Sequence, residues 1–397
     1  MAQLLAYDAA VPNRDRLLDI DEVRRHLPAI SGGRGEAIEA LRIKYRPFES
    51  LRVVYRIDGR AILTARTFAP FELAAAARRG QADFTVPELG AAFWTFPRDR
   101  RLRDLEQFVD PDPALRAHVP GWVASRLAGY APEKCAVIAC LNADGLPIAF
   151  AKVFADQVTS DRVRGLYTLL ASGVGRRDDL DVPGVIAALP ERRTLWFAPA
   201  SGNRVADLTS DCLPDALRRV GRAIAHVHAA LPGVEAVAVR RHAPDALYES
   251  AQLVGYAQPR VKHAVLGLAA ALGSRRTHED AVFLHGDLHL KNAFVDGERV
   301  SLIDFDQAAA GPAASDLGSL LAALHGEGAR LESALLAGYA EVRRLPPAES
   351  LAWHTAASLL TERAVRAITR VRVPTLRTLD RLINDARALA QKAGRAR

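Results

Sequence analysis

The sequence predicts a chain that contains both strands and helices, an α/β (α+β) fold. A strand-rich N-terminal part precedes a mostly helical C-terminal part. Two similar groups of short apolar runs, separated by Asp-Gly turns, lie before residue 155 and predict β-meanders. Apolar residues recur every three to four positions after Leu213 and again after Leu317, which predicts amphipathic helices. The chain has 397 residues, enough for two or three globular units, and its 49% hydrophobic content suffices for a full core.

The two predicted meanders resemble each other in spacing. Tyr45 and Asp58 are 13 residues apart, and Tyr130 and Asp144 are 14 apart. Each aspartate is followed eight residues later by a basic residue, which is Arg66 in the first group and Lys152 in the second. Each group therefore predicts a strand, a turn, a strand, an Asp-Gly turn and a strand. A duplicated half-lobe, two parts of one enlarged sheet and a chance similarity of hairpins are all compatible with this pattern.

The composition argues against several classes of partner. The net charge is +7 with 25% charged residues, yet the arginines are dispersed and no basic run alternates with aromatic residues. This pattern is typical of a solvated surface and predicts no nucleic-acid binding. The N-terminus has no basic segment followed by an apolar one, and the apolar run 264–272 is too short to span a bilayer. We therefore expect a soluble, cytoplasmic protein with no membrane partner, whose oligomeric state the sequence does not predict.

Three cysteines make an odd number without a Cys-x-x-Cys pair, so neither a disulfide framework nor a zinc ribbon is expected. Cys135 and Cys140 lie in one predicted strand and are expected in the core.

The polar residues with the clearest chemical meaning follow an apolar run that ends at Leu284. His285 is therefore expected where a buried segment opens into a loop. Asp287 and Asn292 are five residues apart, and a short irregular loop can direct both side chains toward one point.

A hairpin is predicted directly after this loop, around the turn Asp296-Gly297. Centring the turn on Gly297-Glu298 pairs Val295 with Val300 and Asn292 with Ile303. Asp304 then lies one step further along, at the same end of the hairpin as Asn292, so that one divalent cation could contact both.

This set of residues suits phosphoryl transfer. An acid such as Asp287 can position an acceptor hydroxyl and take its proton, while the oxygen atoms of Asn292 and Asp304 hold Mg²⁺ against nucleotide phosphates. Hard oxygen ligands favour Mg²⁺ over zinc. Two alternatives remain: a metallohydrolase site with His285, Asp287 and His289 as ligands, or an ordinary strand, loop and hairpin with solvated polar residues.

The ordered set of motifs resembles the aminoglycoside phosphotransferase-like family of the protein-kinase-like fold, which also contains small sugar and choline kinases. The matching residues are His285, Asp287, Asn292, Ile303, Asp304, Phe305, Asp306, Asp316 and Leu317. The resemblance implies that Asp287 is the catalytic acid–base residue and that Asn292 and Asp304 are the metal ligands. It further implies that Asp316 is a buried carboxylate that braces the catalytic loop, while Asp306 is expected to be a hydrogen-bonded loop acid.

The resemblance also implies where ATP binds. Lys152 ends the β-like run 148–152 and would be the lysine that contacts the nucleotide phosphates, whereas Arg66 is expected to be structural. The segment 194–202 would be the strand and hinge between two lobes, with the backbone of Trp196 and Ala198 facing the adenine.

Two departures from the family pattern stand out before and after Lys152. The turn that follows Tyr130 reads Ala-Pro-Glu-Lys and is not glycine-rich, and the glycine-rich segment 31–35 is expected to be a flexible connection. The helical segment 160–170 contains no glutamate to pair with the lysine, which leaves Asp161 as the candidate acid.

We therefore expect a two-lobed kinase-like chain with three parts. These are an N-terminal extension with a meander at 1–126, a kinase-like N-lobe and hinge at 127–200, and a helical C-lobe with the catalytic loop and acceptor pocket at 201–397. The enlarged N-terminal part and the segment 361–366 resemble maltose- or trehalose-linked kinases more than antibiotic-resistance enzymes.

The predicted function is ATP- and Mg²⁺-dependent phosphorylation of a hydroxyl on a small molecule, either a sugar or an aminoglycoside-like compound. Thirteen Lys and Arg residues after residue 316 favour a neutral or anionic acceptor over a polycationic one. A nucleotide-binding regulatory protein with little turnover is one alternative. A protein kinase is another, although no Ala-Pro-Glu segment follows Asp304.

Overall fold

The computed structural model describes residues 4–26, 37–78, 82–174, 177–230, 242–275 and 279–393. The chain divides into two compact units, which are described separately. The first contains residues 1–161, 186–197 and 367–373, and the second contains residues 162–185, 198–366 and 374–397. The glycine-rich segment 31–35 lies outside the described residues, and the division into three parts stays a prediction.

The first unit contains two five-stranded sheets. The strands of the first sheet are β1 (Ile38–Arg46), β2 (Ser50–Ile57), β3 (Ala61–Thr67), β4 (Phe84–Val86) and β5 (Ala91–Thr95). The strands of the second sheet are β6 (Ala124–Ala131), β7 (Cys135–Leu141), β8 (Pro147–Phe154), β10 (Val185–Leu189) and β11 (Thr194–Phe197).

Five short helices belong to the first unit, and one long helix begins there and continues from residue 162 in the second unit. They are α1 (Arg14–Leu18), α2 (Ile20–His26), α3 (Pro70–Arg78), α4 (Glu106–Val109), α5 (Pro113–Arg116) and α6 (Gln157–Gly173). The predicted helix at 160–170 is confirmed as the central part of α6.

The two sheets have the same strand order. The first is ordered β1-β2-β3-β5-β4, and the second is ordered β6-β7-β8-β11-β10. A helix follows the third strand in both, α3 after β3 and α6 after β8. Phe48 and Glu133 occupy corresponding positions in the first turns, and both have left-handed backbone angles, with φ of 64° and 60°. The two predicted meanders are confirmed as parts of separate sheets, and their shared order favours a duplication over one enlarged sheet.

The segment between the two sheets forms the core of the second sheet. Its buried apolar residues are Leu102, Leu105, Phe108, Leu115, Val119 and Trp122, and they pack on Ile138, Ala149, Ala151, Val153 and Trp196. Because side chains alternate along a strand, Lys152 lies on the face of β8 opposite to Ala151 and Val153. The connecting segment therefore covers the face of this sheet that is opposite to Lys152.

The second unit contains the remaining strands. A four-stranded sheet has the order β12 (Asn203–Arg204), β14 (Ala293–Asp296), β15 (Arg299–Leu302) and β9 (Leu180–Asp181), and β13 (Ala281–Leu284) pairs with β16 (Ala309–Pro312).

Most of the chain after residue 204 is helical. The helices are α7 (Leu213–Ala230), α8 (Pro244–Ala257), α9 (Lys262–Gly273), α10 (Ala313–Leu324), α11 (Ala329–Ala340), α12 (Ala348–Ser358), α13 (Val365–Thr369), α14 (Val373–Arg377) and α15 (Leu379–Lys392), with a π-helical segment at Leu359–Ala364. None of the described helices combines the length and the apolar content that a membrane crossing requires.

Helices α7 and α11 pack backbone to backbone. A Cβ atom on Gly221 of α7 would lie 2.1 Å from the carbonyl oxygen of Leu335, and one on Gly338 of α11 would lie 1.8 Å from that of Arg218. Only glycine permits an approach this close. The crossing places His228 of α7 beside Tyr339 of α11, with 3.0 Å between His228 Nδ1 and the tyrosine hydroxyl.

Candidate active site

The candidate catalytic loop, residues 285–292, begins where β13 ends. Leu284 is the last residue of β13, and its partner Ala309 lies in β16. Gly286 follows with a φ of 79°, and a Cβ atom there would lie 1.9 Å from the carbonyl oxygen of Gln307. Glycine is therefore required at this position both by its backbone angle and by the neighbouring backbone. The loop lies directly against the chain that follows Asp304.

The hairpin after the loop has the predicted register. Val295 pairs with Val300, and the Ile303 N–H donates to the Asn292 carbonyl oxygen at 2.9 Å. Asn292 and Asp304 therefore lie at the same end of the hairpin, as predicted. Asp304 has a left-handed backbone with φ 68° and ψ 51°, a conformation that is uncommon outside glycine and is often found at functional sites.

The buried ring of His285 joins the loop to the strand that precedes Asp304. Its Nε2 lies 2.9 Å from the Ile303 carbonyl oxygen, and because a carbonyl only accepts, Nε2 carries the proton. The ring also packs on Phe305, with 4.3 Å between ring centroids. His285 is thus used structurally and does not suit the metallohydrolase alternative. Within the described ranges, no group of three or more His, Cys, Asp or Glu side chains is arranged to hold a metal ion.

Asp316, in the first turn of α10, holds the start of the catalytic loop. Its carboxylate accepts hydrogen bonds from the His285 N–H at 2.7 Å and the Gly286 N–H at 3.0 Å. His228 Nε2 approaches the same carboxylate at 3.3 Å. Burial alone would raise the pKa of Asp316, but the hydrogen bond and charge of His228, together with the Gly286 N–H, hold that pKa below its usual value of 3.8. The bracing geometry is the one that the family resemblance implied.

His228 is a residue whose importance the sequence did not reveal. It lies near the end of α7, and none of the motifs in the sequence includes it. Its Nε2–H can donate to the Asp316 carboxylate, while its Nδ1 lies within hydrogen-bond distance of the Tyr339 hydroxyl, so one ring contacts both partners. The α7–α11 crossing is therefore connected to the catalytic loop through one histidine.

The amide of Asn292 has a defined orientation. Its Nδ2 donates to the backbone carbonyl of Asp287 at 3.1 Å, so the amide oxygen is the end that can face a cation. An amide oxygen and the Asp304 carboxylate are ligands of the type that Mg²⁺ uses when nucleotide phosphates and water complete its shell.

The Asp287 carboxylate is held by an arginine that the sequence did not single out as a site residue. Arg366 Nη2 donates to Asp287 Oδ1 at 3.0 Å, and Nη1 donates to His289 Nε2 at 2.6 Å. His289 Nε2 also lies 3.0 Å from the same Asp287 oxygen, and the Arg366 guanidinium is the permanently charged cation beside this carboxylate. Arg366 is the second residue of α13, which directly follows the π-helical segment. The Glu362 carboxylate of that segment lies 3.8 Å from the Arg366 guanidinium. π-Helical turns are frequent at functional sites.

The comparisons with known proteins point to one enzyme family. The sequence model of a family described as APH, the phosphotransferase enzyme family, matches residues 157–351. Residues 157–351 belong to the phosphotransferase enzyme family. This match includes the catalytic loop, the hairpin and Asp316, and it confirms both the family and the enzyme class predicted from the sequence. No curated protein matches the sequence.

Solved structures of phosphotransferases have a similar fold. A spectinomycin phosphotransferase, APH(9)-Ia, in complex with ADP and spectinomycin, is 14% identical over 72% of this chain and 98% of its own, with a TM-score of 0.51. A macrolide 2'-phosphotransferase from Brachybacterium faecium is 18% identical over 71% of this chain and 97% of its own, with a TM-score of 0.47. The likeness to the spectinomycin enzyme confirms the predicted protein-kinase-like fold class.

The residues predicted to bind the nucleotide in this phosphotransferase lie in or next to the second sheet. Lys152 is half-buried on β8, with its ammonium 5.6 Å from the centre of the Phe154 ring. The Trp196 side chain is fully buried and stacks on His118 at 5.0 Å, so only its backbone could serve the nucleotide. The Ala198 N–H donates to the Gly184 carbonyl oxygen at 3.0 Å. The roles of Lys152, Trp196 and Ala198 toward ATP stay predictions.

We expect Asp316→Asn to destabilise the phosphotransferase by about 2 kcal/mol, because at least one backbone N–H of the loop would then face an amide nitrogen.

The pH dependence of stability follows from the pKa of Asp316, which is lower in the folded than in the unfolded chain. The contribution of the Asp316 carboxylate to stability is therefore complete above pH 3.8 and is lost as the pH falls through the folded-state pKa. Urea unfolding from pH 7 to pH 3 should show the difference between wild type and variant shrinking below about pH 4. Asp385→Asn, which alters the more exposed pair with His325, is the control. Equal losses in both variants at pH 7 would contradict this account.

We expect Arg366→Ala to lower kcat by about 10- to 100-fold, because the Asp287 carboxylate loses the group that orients it. The kcat of Arg366→Lys should lie between those of Arg366→Ala and wild type, since an ammonium restores the charge but not the paired hydrogen bonds to Asp287 and His289. The control is Arg363→Ala, which removes a guanidinium bonded only to the Ala323 carbonyl among the described residues. A kcat for Arg366→Ala equal to that of the control would remove Arg366 from the site.

Proposed function

We propose that this chain is an ATP-dependent kinase that phosphorylates a hydroxyl group of a small molecule. The observation that supports it best is the arrangement of Asp287, Asn292 and Asp304 on two chain segments that are joined by the hairpin register and by His285. The match to the phosphotransferase enzyme family supports the same reaction class. The spectinomycin phosphotransferase was solved with ADP, which supports ATP as the phosphoryl donor here.

Each side chain has a role in this proposal. Asp287 orients the acceptor hydroxyl and takes its proton, and Arg366 holds the Asp287 carboxylate in place. Asn292 and Asp304 would hold Mg²⁺, which bridges phosphate oxygens and neutralises their charge when bound. Lys152 would bind the nucleotide phosphates as a compact point charge.

The acceptor that we favour is a neutral, sugar-like polyol. Arg366 lies on Asp287, so the position where the acceptor hydroxyl would bind already contains a cation. A polycationic aminoglycoside would meet like charge at this point, whereas sugar hydroxyls can hydrogen-bond to both the guanidinium and the carboxylate. Because ATP is available inside the cell, we propose the cytoplasm as the site of action.

A regulatory protein that binds nucleotide with little turnover is the second candidate. One observation favours it: the β6–β7 turn, at the position of the glycine-rich loop of kinases, contains Glu133 in ion pairs with three arginines. Such a turn cannot close over phosphates through bare backbone N–H groups as a glycine-rich loop does.

We expect Asp287→Asn to abolish acceptor-dependent ADP release, with a loss of about 100-fold or more, since general base catalysis contributes 10²- to 10⁴-fold. The assay measures ADP release with Mg²⁺ across sugars, amino alcohols, nucleosides and aminoglycosides. Asp296→Asn, which alters an exposed carboxylate of the hairpin turn, is the control and should retain wild-type rates. If wild type binds ATP but matches Asp287→Asn on every compound, the regulatory alternative replaces the kinase.

We expect Lys152→Met to weaken ATP binding by about tenfold or more, because a charge-assisted contact to phosphate contributes 1.5–3 kcal/mol. Titration calorimetry with ATP and Mg²⁺ provides the measurement. Lys392→Met, at the end of α15, removes an exposed lysine and should leave ATP affinity unchanged. An ATP affinity in Lys152→Met equal to that of Lys392→Met would exclude Lys152 from the nucleotide site.

A further inference from the structure

A small pocket with a strongly basic lining lies in the first unit, and none of its lining residues is among those assigned to catalysis. Arg42 and Lys44 of β1, Arg52 of β2 and Lys134 of the β6–β7 turn supply its polar lining. The remaining lining residues are apolar: Val54, Ala131 and Pro132. The pocket therefore joins strands of the first sheet to the first turn of the second sheet.

The carboxylate that pairs with Arg52 is already shared by several arginines. Glu133 binds Arg52 at 2.9 Å, Arg100 at 3.1 Å and also Arg66. One negative charge therefore faces three guanidinium groups. The Arg52 side chain is only 11% exposed, yet its Nε has no hydrogen-bond partner within the described part of the chain. A buried guanidinium N–H without an acceptor is unfavourable and indicates a missing partner.

Lys44 has an even less favourable environment. It is half-buried, and no carboxylate among the described residues lies within ion-pair distance of its ammonium. Burial first, and then the charges of Arg46, Arg52, Lys134 and Arg42, lower the pKa of Lys44 from 10.5 to about 8. At neutral pH the lysine is still protonated, so the folded chain brings together like charges that an anion would balance.

We infer that this pocket binds a phosphate-class anion, held by Lys44, Arg42, Lys134 and the free Nε–H of Arg52. Guanidinium and ammonium groups are the usual protein partners of phosphate oxygens, and their charge-assisted hydrogen bonds are the strong ones. The anion is either free phosphate or a phosphate group of a nucleotide. None of these four residues has a role in the proposed kinase reaction, and the inference does not depend on that reaction.

The test is thermal unfolding of the full-length chain in inorganic phosphate and in chloride at equal ionic strength and pH 7. Wild type should gain stability with phosphate in a saturable way, in addition to the general stabilisation that phosphate gives to any protein. Lys44→Met should unfold at a higher temperature than wild type in chloride, because the variant removes a buried like charge. Lys44→Met should also lose the saturable gain, with a phosphate Kd at least fivefold weaker by titration calorimetry. Lys392→Met should retain the wild-type response.

Three results separate the possible outcomes. Equal phosphate responses in wild type, Lys44→Met and Lys392→Met would overturn the proposal. If stabilisation by ADP without metal is also lost in Lys44→Met, the site takes the phosphates of the nucleotide. If ADP still stabilises Lys44→Met fully, the site takes free phosphate. Arg42→Met, on the more exposed side of the same pocket, provides a second variant with the same expected loss.

Discussion

The buried carboxylate of Asp316 is the interaction on which the rest of the candidate site depends. A loop that leaves a buried strand exposes backbone N–H groups that need acceptors, and Asp316 provides one oxygen to each of the first two. The carboxylate is in turn held by His228, which is positioned by the crossing of α7 and α11. Helix packing far along the chain therefore determines where the catalytic loop begins. An apolar residue at position 316 would leave two buried donors unpaired.

From this start, the loop and the hairpin form one connected piece. Gly286 lies against the backbone of Gln307, and the His285 ring spans from the loop to Ile303. The left-handed backbone of Asp304 persists because both neighbours are held: Ile303 accepts the His285 bond, and Phe305 is buried against the same ring. Asn292 and Asp304 are thus positioned by backbone contacts instead of by each other. Such preorganisation is what phosphoryl transfer would require of the two proposed metal ligands.

Local patterns in the sequence predicted the local structure well. The Asp-Gly turns predicted both meanders, and they also predicted the hairpin register that places Asn292 and Asp304 at the same end. Both predictions were possible because turn type and strand alternation are encoded within about ten residues. Contacts between distant segments were not predictable in this way. His228 and Arg366 reach Asp316 and Asp287 across 88 and 79 positions. Likewise, no local signal distinguishes one enlarged sheet from two sheets with the same strand order.

The ion pairs of Glu133 explain why the β6–β7 turn is not glycine-rich. Glu133 has a left-handed backbone, with φ 60°, where glycine would be favoured. A side chain is nevertheless required there, because Glu133 is the shared partner of Arg52 and Arg66 in the first sheet and of Arg100 in the connecting segment. Arg66 in β3 occupies the position that corresponds to Lys152 in β8. The basic residue of the third strand of the first sheet therefore binds the β6–β7 turn of the second sheet. Glycine at position 133 would relieve roughly 1 kcal/mol of backbone strain. It would also remove the carboxylate that pairs with three partly buried guanidinium groups, and that loss costs far more than the relieved strain. The first sheet therefore determines the sequence of a turn that a kinase-like lobe on its own could fill with glycine.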